Sequence, residues 1–393
     1  MENKLKKIVI IPSDPISDYE EKGTSGWLKE YYNPNNYFDE VYVLSYKESV
    51  ARNVYGLIIV PVSKSGSDFK RKVKEINPLF VRAYGGYWAT DFAVFNKIKG
   101  IPVISSIHDT NPDLIFKSLQ FCDSYISMSE VIKQILIKNK YAKESEILVL
   151  GNRINTENFK KIGKDNLKLK ALKDQLPFAK FILSVGRRNK EKNITNTIKS
   201  LSHLPKEIGL IQIGKGSTDE YQKTIVENKL EERVHWINKV ENDELPYYYN
   251  LAALLCVPSR WEGFGVVFIE AICCHTKIVT SNIAPMNEYI INDTIMNSLV
   301  DDFENPKSLA SSILKLLTTN EENTNTVDKV KERYDIKVVA KNEINWCKKL
   351  SDQRKTKSLK YYKWKYDFYY KAYFFGKIKR FPKRIWRKMH SYL

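Results

Sequence analysis

At 393 residues, with 43% hydrophobic and 28% charged side chains, the chain has a globular composition and more length than one ordinary core needs, so two domains are expected. The net charge of +18 is concentrated: residues 351–393 carry fourteen Lys and Arg against two Asp, two thirds of the excess. No apolar run approaches the roughly eighteen residues of a membrane span, and the five cysteines lack metal spacing and read as reduced core thiols of a cytosolic protein.

Lys7–Ile11 reads as a strand; its apolar run is too short for a signal peptide. A polar loop ending Lys22-Gly23-Thr24-Ser25-Gly26 follows, then an expected helix from Trp27 to Tyr32. Short β runs come next at 41–44, 57–60, 79–82, 101–107, 124–128 and 147–150, separated by polar or helical stretches such as 130–138. That alternation predicts a parallel sheet covered on both faces, with ligands beyond the carboxyl ends of its strands. Gly23–Gly26, Gly85-Gly86 and His108-Asp109 all fall at such ends. A His-Asp pair there is either a structural corner or part of a site, and Arg82 and Tyr84 face either the ligand or the core.

Residues 160–173 are lysine-rich and read as a linker with an exposed helix, which places a domain boundary near 165–175. The alternation then resumes. A strand at 181–185 runs into Gly186-Arg187-Arg188-Asn189-Lys190-Glu191-Lys192-Asn193 and a helix at 194–201. Arg187 offers a planar fork of donors and Lys192 a mobile point charge, which together suit a diphosphate; a solvated basic loop is the plain alternative. Strands at 209–213 and 234–237 follow, the first ending in Gly214-Lys215-Gly216. The run Leu254–Val257 stops at Pro258. Gly263 and Gly265 then allow a tight turn into a helix expected over 266–274. A helix opening behind such a loop presents unpaired N–H groups to an anion. Glu262 could reach a ligand at that mouth and Glu270 could accept two ribose hydroxyls; strand–loop–helix scaffolding with a solvated Glu262 is the alternative. A strand at 277–281 and helices at 306–317, 323–334 and 336–349 complete the pattern.

The segment Pro258-Ser259-Arg260-Trp261-Glu262-Gly263-Phe264-Gly265, followed by Glu270-Ala271, resembles the signature of the GT-B glycosyltransferases, specifically the large retaining family 4 (glycosyltransferase group 1). The resemblance covers roughly residues 4–350. It implies an α/β chain of two Rossmann-like domains facing across a cleft: an acceptor domain over 1–165, a nucleotide-sugar donor domain over 175–335, a crossing helix over 336–350 and a basic aromatic tail over 351–393. It also implies retaining transfer of a hexosyl group from a nucleotide diphosphate sugar, UDP before GDP, to a hydroxyl of a glycan or lipid-linked acceptor in cell-surface polysaccharide synthesis. By the same resemblance His108, Arg187, Lys192 and Glu262 are catalytic, and Gly26, Gly186, Gly214, Ile237, Gly263, Phe264, Gly265, Val266 and Glu270 bind the donor. No metal or other cofactor is expected, since no Asp-x-Asp stands at the site. The chain departs from the family pattern in its long loop before Gly26, in Arg188 at a usually apolar position, and in His275 and Lys277 where Gly and Pro are commonest. A GT-B nucleotide-sugar epimerase and a non-catalytic membrane- or nucleic-acid-associated protein of the same fold are the rival readings.

The tail interleaves aromatic residues with Lys and Arg from Tyr361 onward. Such a segment suits an anionic membrane surface, which would hold the protein on the inner face of the cell membrane through 354–393. A helix packed on the body and a nucleic-acid-binding arm are the alternatives.

Overall fold

A computed structural model describes residues 5–353, 356 and 357, apart from 22, 24, 291, 292, 294 and 320–323. The chain forms two compact units, residues 1–150 with 340–393, and residues 151–339. The first boundary falls before the expected 165–175 for a physical reason. Ile154 pairs with Asp335, Thr156 bonds the Asp335 carboxylate at 2.5 Å, and Phe159 meets the Tyr249 ring, so 151–165 is built into the second unit.

In the first unit the described strands are β1 (Lys7–Ile11), β2 (Glu40–Ser45), β3 (Arg52–Val54), β4 (Leu57–Pro61), β5 (Phe80–Tyr84), β6 (Val103–Ile107), β7 (Ser124–Ser127) and β8 (Ile147–Val149). They lie in the order β3-β4-β2-β1-β5-β6-β7-β8, parallel except for β3 against β4. The inner strands are apolar throughout because both faces are covered; Ile8 to Ile11 are fully buried. All the parallel strands deliver their following loops to one edge, which places Ser13, Gly85-Gly86 and His108 together.

Residues 340–353 of the last helix, Ile336–Gln353, belong to this unit. Glu343 and Arg82, both at most 2% exposed, form an ion pair, and Trp346 Nε1 donates to Ser124 Oγ at 2.9 Å. The chain is tied down again at Lys357, whose N–H donates to Asp123 Oδ1 at 2.6 Å and whose ammonium meets Glu146 at 2.8 Å. The expected basic tail lies outside the described residues from 358 onward.

The second unit holds β9 (Lys180–Val185), β10 (Ile208–Ile213), β11 (Val234–Ile237), β12 (Leu254–Val257), β13 (Ile278–Ser281) and β14 (Asn297–Val300), all parallel, in the order β11-β10-β9-β12-β13-β14. The sequence order reverses between β9 and β12. That switch point is where sheets of this kind open a crevice for ligands. The core beneath packs Ile182, Leu210, Leu254 and Val279 against helix residues including Ile198, Leu309 and Ile313.

Candidate functional site

The second unit builds its site from the loops that leave β9, β10 and β12. Gly186 and Gly214 stand just past β9 and β10 with φ of 149° and 150°. A Cβ on Gly214 would lie 2.0 Å from the Gly186 carbonyl oxygen, so the two loops touch in a way only glycine permits. Gly186 also lies against the Lys192 side chain, at 3.1 Å from where its Cβ would stand.

The two adjacent arginines have different work. Arg188 is 6% exposed; it donates to Gln212 Oε1 at 2.7 Å, Gly216 O at 2.9 Å, Asn238 Oδ1 at 2.7 Å and Ile237 O at 3.2 Å, and lies over the Trp236 ring at 5.0 Å. It binds the ends of β9, β10 and β11 into one surface. Arg187 is exposed, and no hydrogen bond or ion pair reaches its side chain among the described residues. Of the two, Arg187 is the one whose side chain is open to solvent. The Arg188 substitution at a usually apolar position is a structural one. Ile237 is placed beside this surface, but its carbonyl already accepts from Gly214 N at 2.9 Å and from Arg188, which leaves only its half-buried side chain toward a ligand.

Past β12, Gly265 takes φ 85° and opens the helix Val266–Cys273. A helix start leaves its first N–H groups without intrahelical partners. The Phe264 ring is packed away: it stacks on Tyr289 at 4.9 Å and meets Tyr334 at 5.2 Å, and it is 6% exposed. Tyr289 Oη donates to the Phe264 and Gly265 carbonyls at 2.7 and 3.0 Å, fixing the turn from behind. Phe264 can thus offer a ligand its main chain only.

Both carboxylates are engaged. The Lys192 ammonium pairs with Glu262 Oε1, which also accepts from Ser259 Oγ at 2.8 Å. Glu270, 7% exposed, accepts from Tyr249 Oη at 2.8 Å on one oxygen. Burial pushes its carboxyl up to about 7, and the tyrosine pulls part of the way back. Arg260 braces the loops from outside, donating to Glu304, to Lys190 O and to Asn193 Oδ1, while its N–H donates to Glu191 O at 2.8 Å. Tyr249, Ser259, Arg260 and Tyr289 were not singled out from the sequence as site residues. A carboxylate buried on a helix does demand a donor, and Tyr249 on the neighbouring helix Leu245–Leu251 was the available signal.

In the first unit His108 follows β6 and lines a pocket of about 280 Å³ with Tyr31, Tyr84 and Gly85-Gly86. Its ring stacks on Tyr84 with centroids 6.0 Å apart, and Nε2 lies 3.5 Å from Tyr31 Oη. Gly26 does not line this pocket. A helix, Ile16–Glu21, intervenes after β1, and Gly26 sits beyond it in a 3₁₀ turn with open space around its Cα; Ser13 takes the strand-end position instead. Arg82 and Tyr84 divide the two roles foreseen for them: Arg82 is core, and Tyr84 is pocket lining that is only 3% exposed.

Residues 170–333 match the family described as glycosyl transferases group 1. The O-antigen chain mannosyltransferase RfbU of Salmonella typhimurium is 28% identical over 186 residues, 46% of this chain and 48% of its own. The Campylobacter jejuni N-acetylgalactosamine-N,N'-diacetylbacillosaminyl-diphospho-undecaprenol 4-alpha-N-acetylgalactosaminyltransferase is 31% identical over 184 residues, 46% of this chain and 47% of its own. The chain thus spans about half the length of these curated relatives. Among solved structures, Anabaena HepE in complex with UDP matches with a TM-score of 0.71 at 16% identity, over 88% of this chain and 100% of that one. The fold of the chain is GT-B, and its residues 170–333 match the model of the glycosyl transferases group 1 family.

Proposed function

We propose that the protein is a retaining glycosyltransferase of family 4 that moves a hexosyl group from a UDP-sugar to a hydroxyl of a glycan or lipid-linked acceptor in cell-surface polysaccharide synthesis. One observation carries the reading. An exposed arginine, Arg187, opens the loop whose Lys192 pairs with Glu262 just before the helix Val266–Cys273, and that helix holds a buried carboxylate, Glu270, one turn further in. This set suits a nucleoside diphosphate, with cations and helix amides for the phosphates and a carboxylate for the ribose. HepE was solved with UDP, RfbU is named a mannosyltransferase and the Campylobacter relative is named for a diphospho-undecaprenol acceptor, which supports the donor and acceptor classes.

In this reading the bond between the anomeric carbon and the diphosphate oxygen breaks, and charge grows on the leaving phosphate. Arg187, Lys192 and the amides at Gly263–Val266 meet that charge in place of a metal, the electrostatic contribution that dominates in such sites. The acceptor hydroxyl attacks the same face, and its proton passes to the departing phosphate oxygen. The ion pair with Lys192 blunts Glu262 as a nucleophile, which favours this path over a glycosyl-enzyme intermediate. Glu262 faces the sugar and Glu270 holds the ribose. The segment 354–393 docks on anionic lipid, bringing the enzyme to its acceptor.

The test is turnover. Full-length protein is supplied with UDP- and GDP-hexoses and undecaprenyl-linked or oligosaccharide acceptors, and the product linkage is read by proton coupling at the anomeric carbon. An axial product from an axial donor supports the reading. An inverted product contradicts retention, and nucleotide release without any glycoside product favours the epimerase.

A further inference from the structure

The loop after β14 reaches the loops after β12 and β9, although it leaves the edge strand of the sheet, two strands from the first and three from the second. Its Glu304 meets the Arg260 guanidinium with both carboxylate oxygens: Nε donates to Oε1 at 2.6 Å and Nη2 to Oε2 at 2.8 Å. Such a fork fixes orientation as well as distance. Oε2 also accepts from Asn196 Nδ2 at 2.8 Å. Arg260 donates in turn to Asn193 Oδ1 at 2.8 Å and to the Lys190 carbonyl, and its main-chain N–H reaches the Glu191 carbonyl at 2.8 Å. Asn193, 1% exposed, closes the ring: it accepts from Asn196 at 2.9 Å and donates to the Phe303 carbonyl at 3.3 Å.

Three loops thus share one polar knot, and two of them carry groups assigned to the donor. Lys192 immediately precedes Asn193, and Glu262 lies just past Arg260. A shift of either loop changes the spacing between Lys192 and Glu262, and with it the room for a diphosphate. Stability is not the main thing the knot supplies. The Glu304 side chain is 51% exposed and that of Arg260 32%, so solvent screens the pair and its contribution to unfolding is small. A forked contact within a network still holds geometry, and geometry is what a phosphate site requires of the residues behind it.

We propose that Glu304 is a positioning residue for the phosphates of the donor: acting through Arg260 and Asn193, it sets the spacing between the loop that carries Arg187 and Lys192 and the loop that carries Glu262. The inference rests on the proposed nucleotide-sugar site and adds to it a residue that acts through others.

Calorimetric titration of the full chain with UDP and with uridine tests it, in wild type, Glu304→Ala, Glu304→Gln, Arg260→Ala and the double variant of Glu304→Ala with Arg260→Ala. Glu304→Ala should lower UDP affinity about tenfold and leave uridine affinity within about twofold, because the loops released are those that hold phosphate. A merely structural defect would lower both together. Glu304→Gln keeps the side-chain length and one acceptor, so it should show the same split with a smaller loss. The double variant should bind UDP no more weakly than Arg260→Ala alone, as expected of two residues acting through one contact. The melting curve of Glu304→Ala should stay close to that of wild type. Unchanged UDP affinity in Glu304→Ala and Glu304→Gln, an equal fall for uridine, or tighter UDP binding by a released Arg260 overturns the positioning role alone. A wild type that binds no UDP overturns the donor site itself and the proposal with it.

Discussion

Lys192 and Glu262, seventy residues apart, hold each other at the mouth of the helix Val266–Cys273, with 16% and 11% of their side chains exposed. Ser259 Oγ fastens the same carboxylate oxygen. A diphosphate reaching Lys192 must compete with Glu262, and success releases Glu262 toward the sugar. Glu262→Gln should therefore keep or tighten UDP affinity while transfer falls by about a hundredfold or more. Lys192→Ala should lose both, and it should lower stability by about 1–3 kcal/mol because a largely buried carboxylate loses its cation. Calorimetric titration with UDP beside initial rates separates the two variants. Equal loss of UDP affinity in both would contradict the competition.

The neighbouring arginines should divide binding from stability. Arg187→Ala removes an exposed side chain, so unfolding should shift by no more than about 0.5 kcal/mol while UDP affinity falls about 10- to 100-fold. Arg188→Ala strips donors from four acceptors and should cost about 3 kcal/mol or more. Urea titration and nucleotide binding on both variants check this. Reversed effects would mean that Arg188 is the ligand arginine.

Glu270 predicts a pH signature. Its carboxyl is held up at about 7 in the fold against an ordinary 4.5, so the folded state binds the extra proton between those values. Its contribution to stability is therefore greatest below pH 4.5 and falls as pH rises toward and through 7, by up to about 3 kcal/mol. Glu270→Gln should gain stability relative to wild type across that window, measured by denaturant melts at matched pH. Ribose hydroxyls donating to Glu270 favour its ionised form, so nucleotide binding at pH 6 should release a proton. Calorimetry in buffers of different ionisation enthalpy detects it, and Glu270→Gln should abolish it.

The Arg82–Glu343 pair predicts asymmetry between breaking and replacing. Glu343→Ala leaves a fully buried guanidinium unpaired and should cost about 3–5 kcal/mol, whereas the double change Arg82→Met with Glu343→Leu should cost far less. A single and a double variant of equal stability would contradict the account.

The segment 358–393 should carry membrane binding. Each Lys or Arg near an anionic surface contributes about 1 kcal/mol, so a chain ended after Lys357 should lose sedimentation with phosphatidylglycerol vesicles that the full chain shows. Equal sedimentation, or binding of the full chain to neutral vesicles alone, would contradict the electrostatic docking.

Much of the sheet architecture was legible because strands covered on both faces are apolar runs. β1 and β11 fall on the expected residues, and β9, β10, β12 and β13 differ by at most one. The glycine positions were legible because a tight turn leaves no alternative residue: Gly186, Gly214 and Gly265 all take positive φ, and His275, read as standing where Gly is commonest, takes φ 59°. β14 was not foreseen. Its sequence, Asn297-Ser298-Leu299-Val300, is half polar and becomes a strand through pairing with β13. The engagement of Glu262 and Glu270 was also hidden, since their partners Lys192 and Tyr249 lie 70 and 21 residues away and only the fold brings them close. Arg188 shows the same limit: in sequence it is one more cation in a basic loop, and its four acceptors come from the ends of two other strands, β10 and β11.

The central claim is a nucleoside diphosphate site held by Arg187. The direct measurement is thermal unfolding of the full chain with UDP, GDP or ADP, in wild type and in Arg187→Ala. One nucleotide at a hundred times its dissociation constant should stabilise the wild type by about 2.7 kcal/mol, with UDP expected and the shift lost in the variant. No shift with any of the three, in a sample that unfolds cooperatively, would contradict the account.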